Sequence, residues 1–133
     1  MLLGRTLEAG LSSRPMKIAG VHHVSLNVRD TEEAGRFYRD VLGLEQIDRP
    51  GFGFPGMWLR SGPQEIHLLE VSDHHAPDGQ HFAFRVDDID EVVAEIRRRG
   101  GEVSDPFAVP GGGRQSFLKD PSGNLIELNQ PKA

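Results

Sequence analysis

The chain of 133 residues is 37% apolar and 26% charged, the balance of one ordinary globular domain rather than two. It contains no cysteine, so disulfides, thiolate nucleophiles and cysteine-based zinc sites are excluded. Its 15 basic and 20 acidic residues give a net charge of −5, which argues against a nucleic-acid partner, and no apolar run reaches the roughly 18 residues of a membrane helix. The expectation is a soluble, cytoplasmic protein whose chemistry rests on histidine, carboxylates or a bound metal.

Residues 1–16, MLLGRTLEAGLSSRPM, lack both the basic start and the apolar stretch of a signal peptide, and read as a mobile N-terminal tail or short docking helix. Residues 17–133 read as a single domain. His23–Val28 alternates, with Val24, Leu26 and Val28 on one face and His23, Ser25 and Asn27 on the other. The spacing predicts a helix from Asp30, with Asp30 as N-cap, Ala34, Phe37, Tyr38 and Val41 as its apolar stripe and Gly43 as its stop. Strands are expected at Leu44–Asp48, Met57–Arg60 and Glu65–Glu70, with the loop RPGFGFPG (Arg49–Gly56) among them. Val71–Gln80 is a joining segment. A second strand, His81–Val86, precedes a helix with Ile89, Val92, Val93 and Ile96 on one face, then strands at Glu102–Phe107, Gln115–Lys119 and Asn124–Asn129.

The order strand, helix, three strands thus occurs twice, about 18–71 and about 80–131. An offset of 58 superposes HVSLNV on HFAFRV, 59 brings Trp58-Leu59 onto Phe117-Leu118, and 60 brings Ile66-His67-Leu68 onto Ile126-Glu127-Leu128. A half of about 55 residues buries too little core to stand alone, whereas two halves pairing their sheets do not face that difficulty.

The repeat selects four residues. His23 matches His81 on the first strand of each half, and His67 matches Glu127 on the last. Alternation sets all four on the face away from the helix stripes. A lone strand histidine is usually a surface residue or a satisfied core residue. Four repeat-equivalent places holding three imidazoles and a carboxylate are far less ordinary, and suit one divalent metal such as Zn, Ni, Co, Mn or Fe(II). His22 faces the other way and reads as structural, His74 and His75 as solvent-exposed, Tyr38 as core, and Arg97–Arg99 as a solvated helix end.

The segments HHVSLNVRDTEEAGRFYRDVLGLE, WLRSGPQEIHLLE, HFAFRVDDIDEVV and FLKDPSGNLIELNQP resemble the vicinal oxygen chelate superfamily, from about Ile18 to Pro131. Glyoxalase I, methylmalonyl-CoA epimerase, extradiol dioxygenases, fosfomycin-resistance transferases and bleomycin-resistance proteins belong to it. The resemblance implies an α+β fold of two tandem βαβββ modules forming a cup-shaped mixed sheet around one metal. It implies ligands at His23, His67, His81 and Glu127 and a homodimer, with the site built within one chain or across two.

Four protein ligands on an octahedral metal leave two neighbouring positions, where a small substrate chelates through adjacent oxygens and the metal acts as Lewis acid. Glu127 is a ligand and candidate base, and Asp48 a second candidate base. Trp58 and Phe117, repeat partners, are candidates to line the substrate, Phe52 and Phe54 to form a lid, and Arg114 to hold an anionic group, with Arg60 and Arg85 weaker candidates of that kind. Glyoxalase I has a carboxylate where this chain has His67, and extradiol dioxygenases place a further His and Tyr by the substrate, while Tyr38 here lies on a helix. Bleomycin-resistance proteins lack the ligand set, and the fosfomycin transferases' potassium loop is not found. The reading is a metal-dependent, glyoxalase-like lyase or isomerase. Its alternatives are an epimerase, a non-haem Fe(II) extradiol-type dioxygenase, or a non-catalytic, antibiotic-sequestering binding protein.

Overall fold

The computed structural model describes residues 13–133. Most of the expected N-terminal tail therefore lies outside the described residues. The elements run β1 (His23–Val28), α1 (Thr31–Gly35) continued by a π-helical turn (Arg36–Val41), β2 (Glu45–Ile47), β3 (Gly56–Ser61) and β4 (Gln64–Glu70). They repeat as β5 (His81–Arg85), α2 (Ile89–Arg98), β6 (Phe107–Ala108), β7 (Arg114–Lys119) and β8 (Leu125–Gln130). Two four-stranded sheets result, ordered β1-β4-β3-β2 and β5-β8-β7-β6, each with one parallel pair (β1 with β4, β5 with β8) and antiparallel neighbours. In the first module the helix returns the chain so that β2 runs in the direction of β1, and two antiparallel steps, β2 to β3 and β3 to β4, then lay β4 parallel beside β1, as β8 lies beside β5. The α+β class and the two tandem βαβββ modules are as expected.

Both helices start where a carboxylate meets the orphan amides. Asp30 accepts from Glu33 N at 2.9 Å, and Asp88 from Glu91 N at 3.1 Å. Acidic residues follow in each first turn, and Arg97 and Arg98 close α2, complementing its dipole. The expected single helix from Asp30 to Gly43 is instead an α-helical turn that widens at Arg36, where Leu42 N reaches back to Phe37 O at 2.9 Å. The extra residue per turn accompanies Tyr38, which is fully buried, its hydroxyl donating to Asp120 Oδ2 at 2.7 Å across the module seam.

Residues 102–106 form no strand, contrary to expectation. Ser104 N donates to Phe117 O at 2.9 Å, but the Ser104 hydroxyl, rather than its carbonyl, accepts from Phe117 N at 2.8 Å, and Pro106 has no amide to donate, so the regular ladder with β7 begins only at Phe107. His74 is half-buried rather than solvent-exposed: its Nε2 lies 2.8 Å from Asn124 Oδ1, and its carbonyl accepts from Arg29. That contact docks the joining segment on the second module.

The two modules share one core. Val28, Leu59, Ile66 and Leu68 of the first belong to one hydrophobic cluster with Ile89, Val93, Ile96, Ile126 and Leu128 of the second, all nearly inaccessible. Each such side chain contributes about 1.5–3 kcal/mol by leaving water. The DPSGN turn between β7 and β8 forms the polar part of the seam. Asp120 accepts from Ser122 N, Asn124 N and Asn124 Nδ2 as well as from Tyr38. Asn124 Nδ2 also donates to Asn27 O at 2.9 Å, and Arg29 donates to the carbonyls of Pro121 and Ser122. Among the described residues no helix is long and apolar enough to cross a membrane.

Candidate functional site

Strand register arranges the polar sheet faces in rows. In the first module Ser25, His67, Trp58 and Ile47 stand side by side, and His23, Glu65, Arg60 and Glu45 form the next row. In the second, Ala83, Glu127 and Phe117 form one row and His81, Leu125 and Lys119 the next. The diagonal from His23 to His67 is thus the structural counterpart of that from His81 to Glu127. Their neighbours Val24, Ile66, Phe82 and Ile126 point the other way and join or pack against the core.

The two diagonals differ in chemistry. His81 Nδ1–H donates to Gly79 O at 2.9 Å, since a carbonyl only accepts, and this leaves Nε2 facing Glu127 Oε1 at 3.1 Å. The Gly79 carbonyl first, and Glu127 second, raise the His81 pKa above its ordinary value against the opposing effect of desolvation. Asn129 Nδ2 donates to Glu127 Oε2 at 2.8 Å and orients the carboxylate. In the first module the His23 and His67 rings stack at 4.1 Å, and His67 stacks on Trp58 at 3.9 Å and 3°. His67 is buried, and its Nε2 lies 2.9 Å from Glu65 Oε1. That hydrogen bond, with the charges of His22, His67 and Arg60, holds the Glu65 carboxyl below the usual range against desolvation. His22 Nδ1 lies 3.0 Å from His23 Nδ1.

The four candidate ligands therefore come together in two pairs. Among the described residues, no group of three or more His, Cys, Asp or Glu is arranged to hold a metal ion within one chain. The donor chemistry nevertheless fits a divalent metal of intermediate hardness. The His81–Glu127 pair fits best, because the Gly79 carbonyl holds the proton on Nδ1 and leaves Nε2 as the donor atom beside the carboxylate.

The other candidates are distributed as follows. Asp48 lines an open groove of about 450 Å³ with Trp58, Arg60 and Glu65. Phe52 and Phe54 stack on each other at 5.6 Å, with Phe52 6.0 Å from Trp58, and remain about half exposed. Phe117 stands edge-on to His81 at 5.4 Å. Arg114 donates to Asp90 Oδ2 at 2.7 Å, Arg60 lies 3.7 Å from Glu45, and Arg85 shares the face of His81. A larger cavity of about 790 Å³ beside the helices contains none of the four candidate ligands. Sequence reasoning passed over Glu65 and Asn129, although each lies two residues from a selected residue, so alternation alone assigns it to the same face. It also passed over Arg49, whose loop carries no periodic signal.

The profile of the Glyoxalase/Bleomycin resistance protein/Dioxygenase superfamily matches residues 20–128, and the chain belongs to this superfamily. A glyoxalase family protein from Bacillus anthracis superposes with a TM-score of 0.81 at 33% identity, over 90% of this chain and 100% of that one. TnmS3, an antibiotic binding protein from Streptomyces sp. CB03234, superposes with a TM-score of 0.75 at 31% identity, over 89% of this chain and 100% of that one. Glyoxylase I 4 of Arabidopsis thaliana is 28% identical over 88% of this chain and 74% of its own length. An Arabidopsis thaliana lactoylglutathione lyase (31%), a manganese-dependent 2,3-dihydroxybiphenyl 1,2-dioxygenase of Geobacillus genomosp. 3 (28%) and a mouse mitochondrial methylmalonyl-CoA epimerase (28%) are also similar. They are covered over 43%, 39% and 77% of their respective lengths, against 81%, 88% and 90% of this chain. The superfamily thus contains enzymes of several kinds and binding proteins.

Proposed function

We propose that the chain is a divalent-metal-dependent enzyme of the glyoxalase type, a lyase or isomerase acting on a small substrate with neighbouring oxygens. The observation that carries this reading is the His81–Glu127 pair, with its repeat-equivalent partner His23–His67 on the first module. His23, His67, His81 and Glu127 would hold the metal, which supplies Lewis-acid polarisation of the substrate oxygens when bound. Because the two pairs belong to separate sheets, the reading further places each complete site between two copies, His23 and His67 from one and His81 and Glu127 from the other.

In this arrangement the chain's own residues do the positioning and the proton work. Glu127 is the carboxylate that accepts a proton at Oε1, with Oε2 held by Asn129. Asp48 in the lining of the groove is a second base candidate. Trp58 and Phe117 flank the two diagonals with flat apolar faces, and Phe52 and Phe54 extend that wall outward. The parallel stack of Trp58, His67 and His23 also favours a second reading, an aromatic cradle that binds a flat small molecule without turnover, as the similarity to an antibiotic binding protein supports.

Mixing tests the shared site. Purified H23A and E127A should each bind little Mn, Ni, Co or Zn. A refolded mixture should regain about one metal per mixed dimer, because one of its two sites then has all four wild-type ligands. Absence of recovery in a mixture verified as dimeric argues for a site within one chain, and full metal retention in both single variants removes the ligand assignment. A protein that refuses metal yet binds flat ligands without turnover supports the second reading.

A further inference from the structure

The sequence offers Arg114 as the cation for an anionic substrate group, but that guanidinium is paired with Asp90. Most other arginines with a resolved partner are likewise satisfied: Arg39 by Asp40, Arg97 by Asp105, Arg98 and Arg99 by Glu95, and Arg29 by backbone carbonyls. Arg49 is held differently. Its guanidinium carbon lies 5.0 Å from the centroids of both Phe52 and Phe54, and its Nη2 packs so close to Gly56 that a Cβ there would approach it to 2.8 Å. Among the described residues no carboxylate or carbonyl takes its N–H groups. Ring faces hold the guanidinium plane through its charge and leave the donors along its edge free.

This half-buried cation lines a cavity of about 140 Å³ together with Ser25, Phe52, Phe54, Trp58 and His67. At roughly 30 Å³ per water, the space equals four or five waters, enough for one carboxylate or phosphate group. His67 puts the cavity against the candidate metal ligands. In a chain of net charge −5, an anionic ligand approaching this face needs a local cation, and among the described residues lining that wall Arg49 is the arginine whose donors are unpaired.

We infer that Arg49 is the anion anchor of the site, and that the substrate carries a carboxylate or phosphate group beside the oxygens that chelate the metal. This deepens the function proposed above and rests on its placement of the substrate on this face. It does not depend on the metal. The aromatic pair has a defined part in it: Phe52 and Phe54 hold the guanidinium through their ring faces and leave its N–H groups for the two oxygens of the anion.

Trp58 is the single tryptophan and lines the cavity, so its fluorescence reports on the cavity's contents. The test titrates full-length, metal-stripped and dialysed protein with inorganic phosphate, with acetate, and with neutral acetamide at constant ionic strength. Expected is a saturable change in emission with phosphate, acetate or both, and none with acetamide. R49Q should weaken anion binding about tenfold or more, as loss of a charged hydrogen-bonding partner does, and R49K, which keeps the charge but not the fork, should bind in between. R114Q should bind as wild type does. A response to phosphate alone marks a phosphorylated substrate, and one to acetate alone a carboxylic acid. Wild-type binding by R49Q and R49K, an equal response to acetamide, or no saturable response to either anion overturns the proposal. Because the protein is metal-free throughout, a negative result here leaves the metal-ligand assignment standing, and failure of the mixing experiment leaves this one readable.

Discussion

The two modules have the same strand order and the same diagonal of polar side chains, yet the diagonals are held in different ways. In the second module His81 Nε2 faces Glu127 Oε1 at 3.1 Å, with Gly79 and Asn129 fixing each partner from behind. In the first, His67 lies flat between Trp58 and His23 and turns its Nε2 to Glu65. One half presents a charge-bearing pair already oriented, the other an aromatic stack. Repetition of a backbone therefore reproduces positions without reproducing the interactions at them, because the row neighbours differ: Trp58 and Glu65 on one side, Phe117 and Leu125 on the other. The helices differ in the same sense. The second is a regular α-helix, while the first widens into a π-helical turn that inserts Tyr38 under the second module's DPSGN turn.

The contrast can be broken most severely at the candidate ligands. H81A and E127A should reduce bound metal to less than about a tenth of wild type by elemental analysis, because losing a ligand costs more than the roughly 10–100-fold in affinity of losing an outer partner, while the metal-stripped variants still unfold cooperatively in calorimetry. N129A, which leaves the ligands in place but frees Glu127, should weaken metal affinity about tenfold in a chelator competition. If N129A has no effect, the second half-site is no better held than the first.

The seam is the next point of attack. D120A leaves the buried Tyr38 hydroxyl and two backbone amides without their acceptor and should cost about 3 kcal/mol or more in urea unfolding. Y38F keeps the packing and should cost only about 1 kcal/mol near neutral pH. Burial first, then the charge of Asp120 and the hydrogen bond to it, raise the Tyr38 pKa well above its ordinary 10.0. The folded chain thus retains a proton that the unfolded chain gives up above about pH 10, so wild-type stability should fall as pH rises beyond 10, and more steeply than that of Y38F. Equal slopes for the two proteins would remove Tyr38 as the cause. The smallest effect sharpens the comparison of the helices: D30A and D88A should each cost about 1 kcal/mol through loss of a cap, measured by thermal unfolding.

Much of this molecule is a consequence of local sequence. Alternation in HVSLNV and HFAFRV, the caps Asp30 and Asp88, and the offset of 58 to 60 between halves determined two βαβββ modules, and set His23, His67, His81 and Glu127 on the polar faces. These features follow from periods of two and 3.6 residues, which the chain carries in any one short window. Tertiary structure alone decided the rest. The π-helical turn follows from the packing of Tyr38 against residues 82 positions away, the lost strand before Phe107 from a serine hydroxyl meeting β7, and the docking of His74 from Asn124, 50 residues on. The division of the four candidate ligands into two pairs, the pairing of Arg114 with Asp90 and the aromatic cradle of Arg49 likewise depend on contacts between side chains. No window of sequence contains both partners of a long-range contact together with the geometry that joins them, so these are properties of the packed chain.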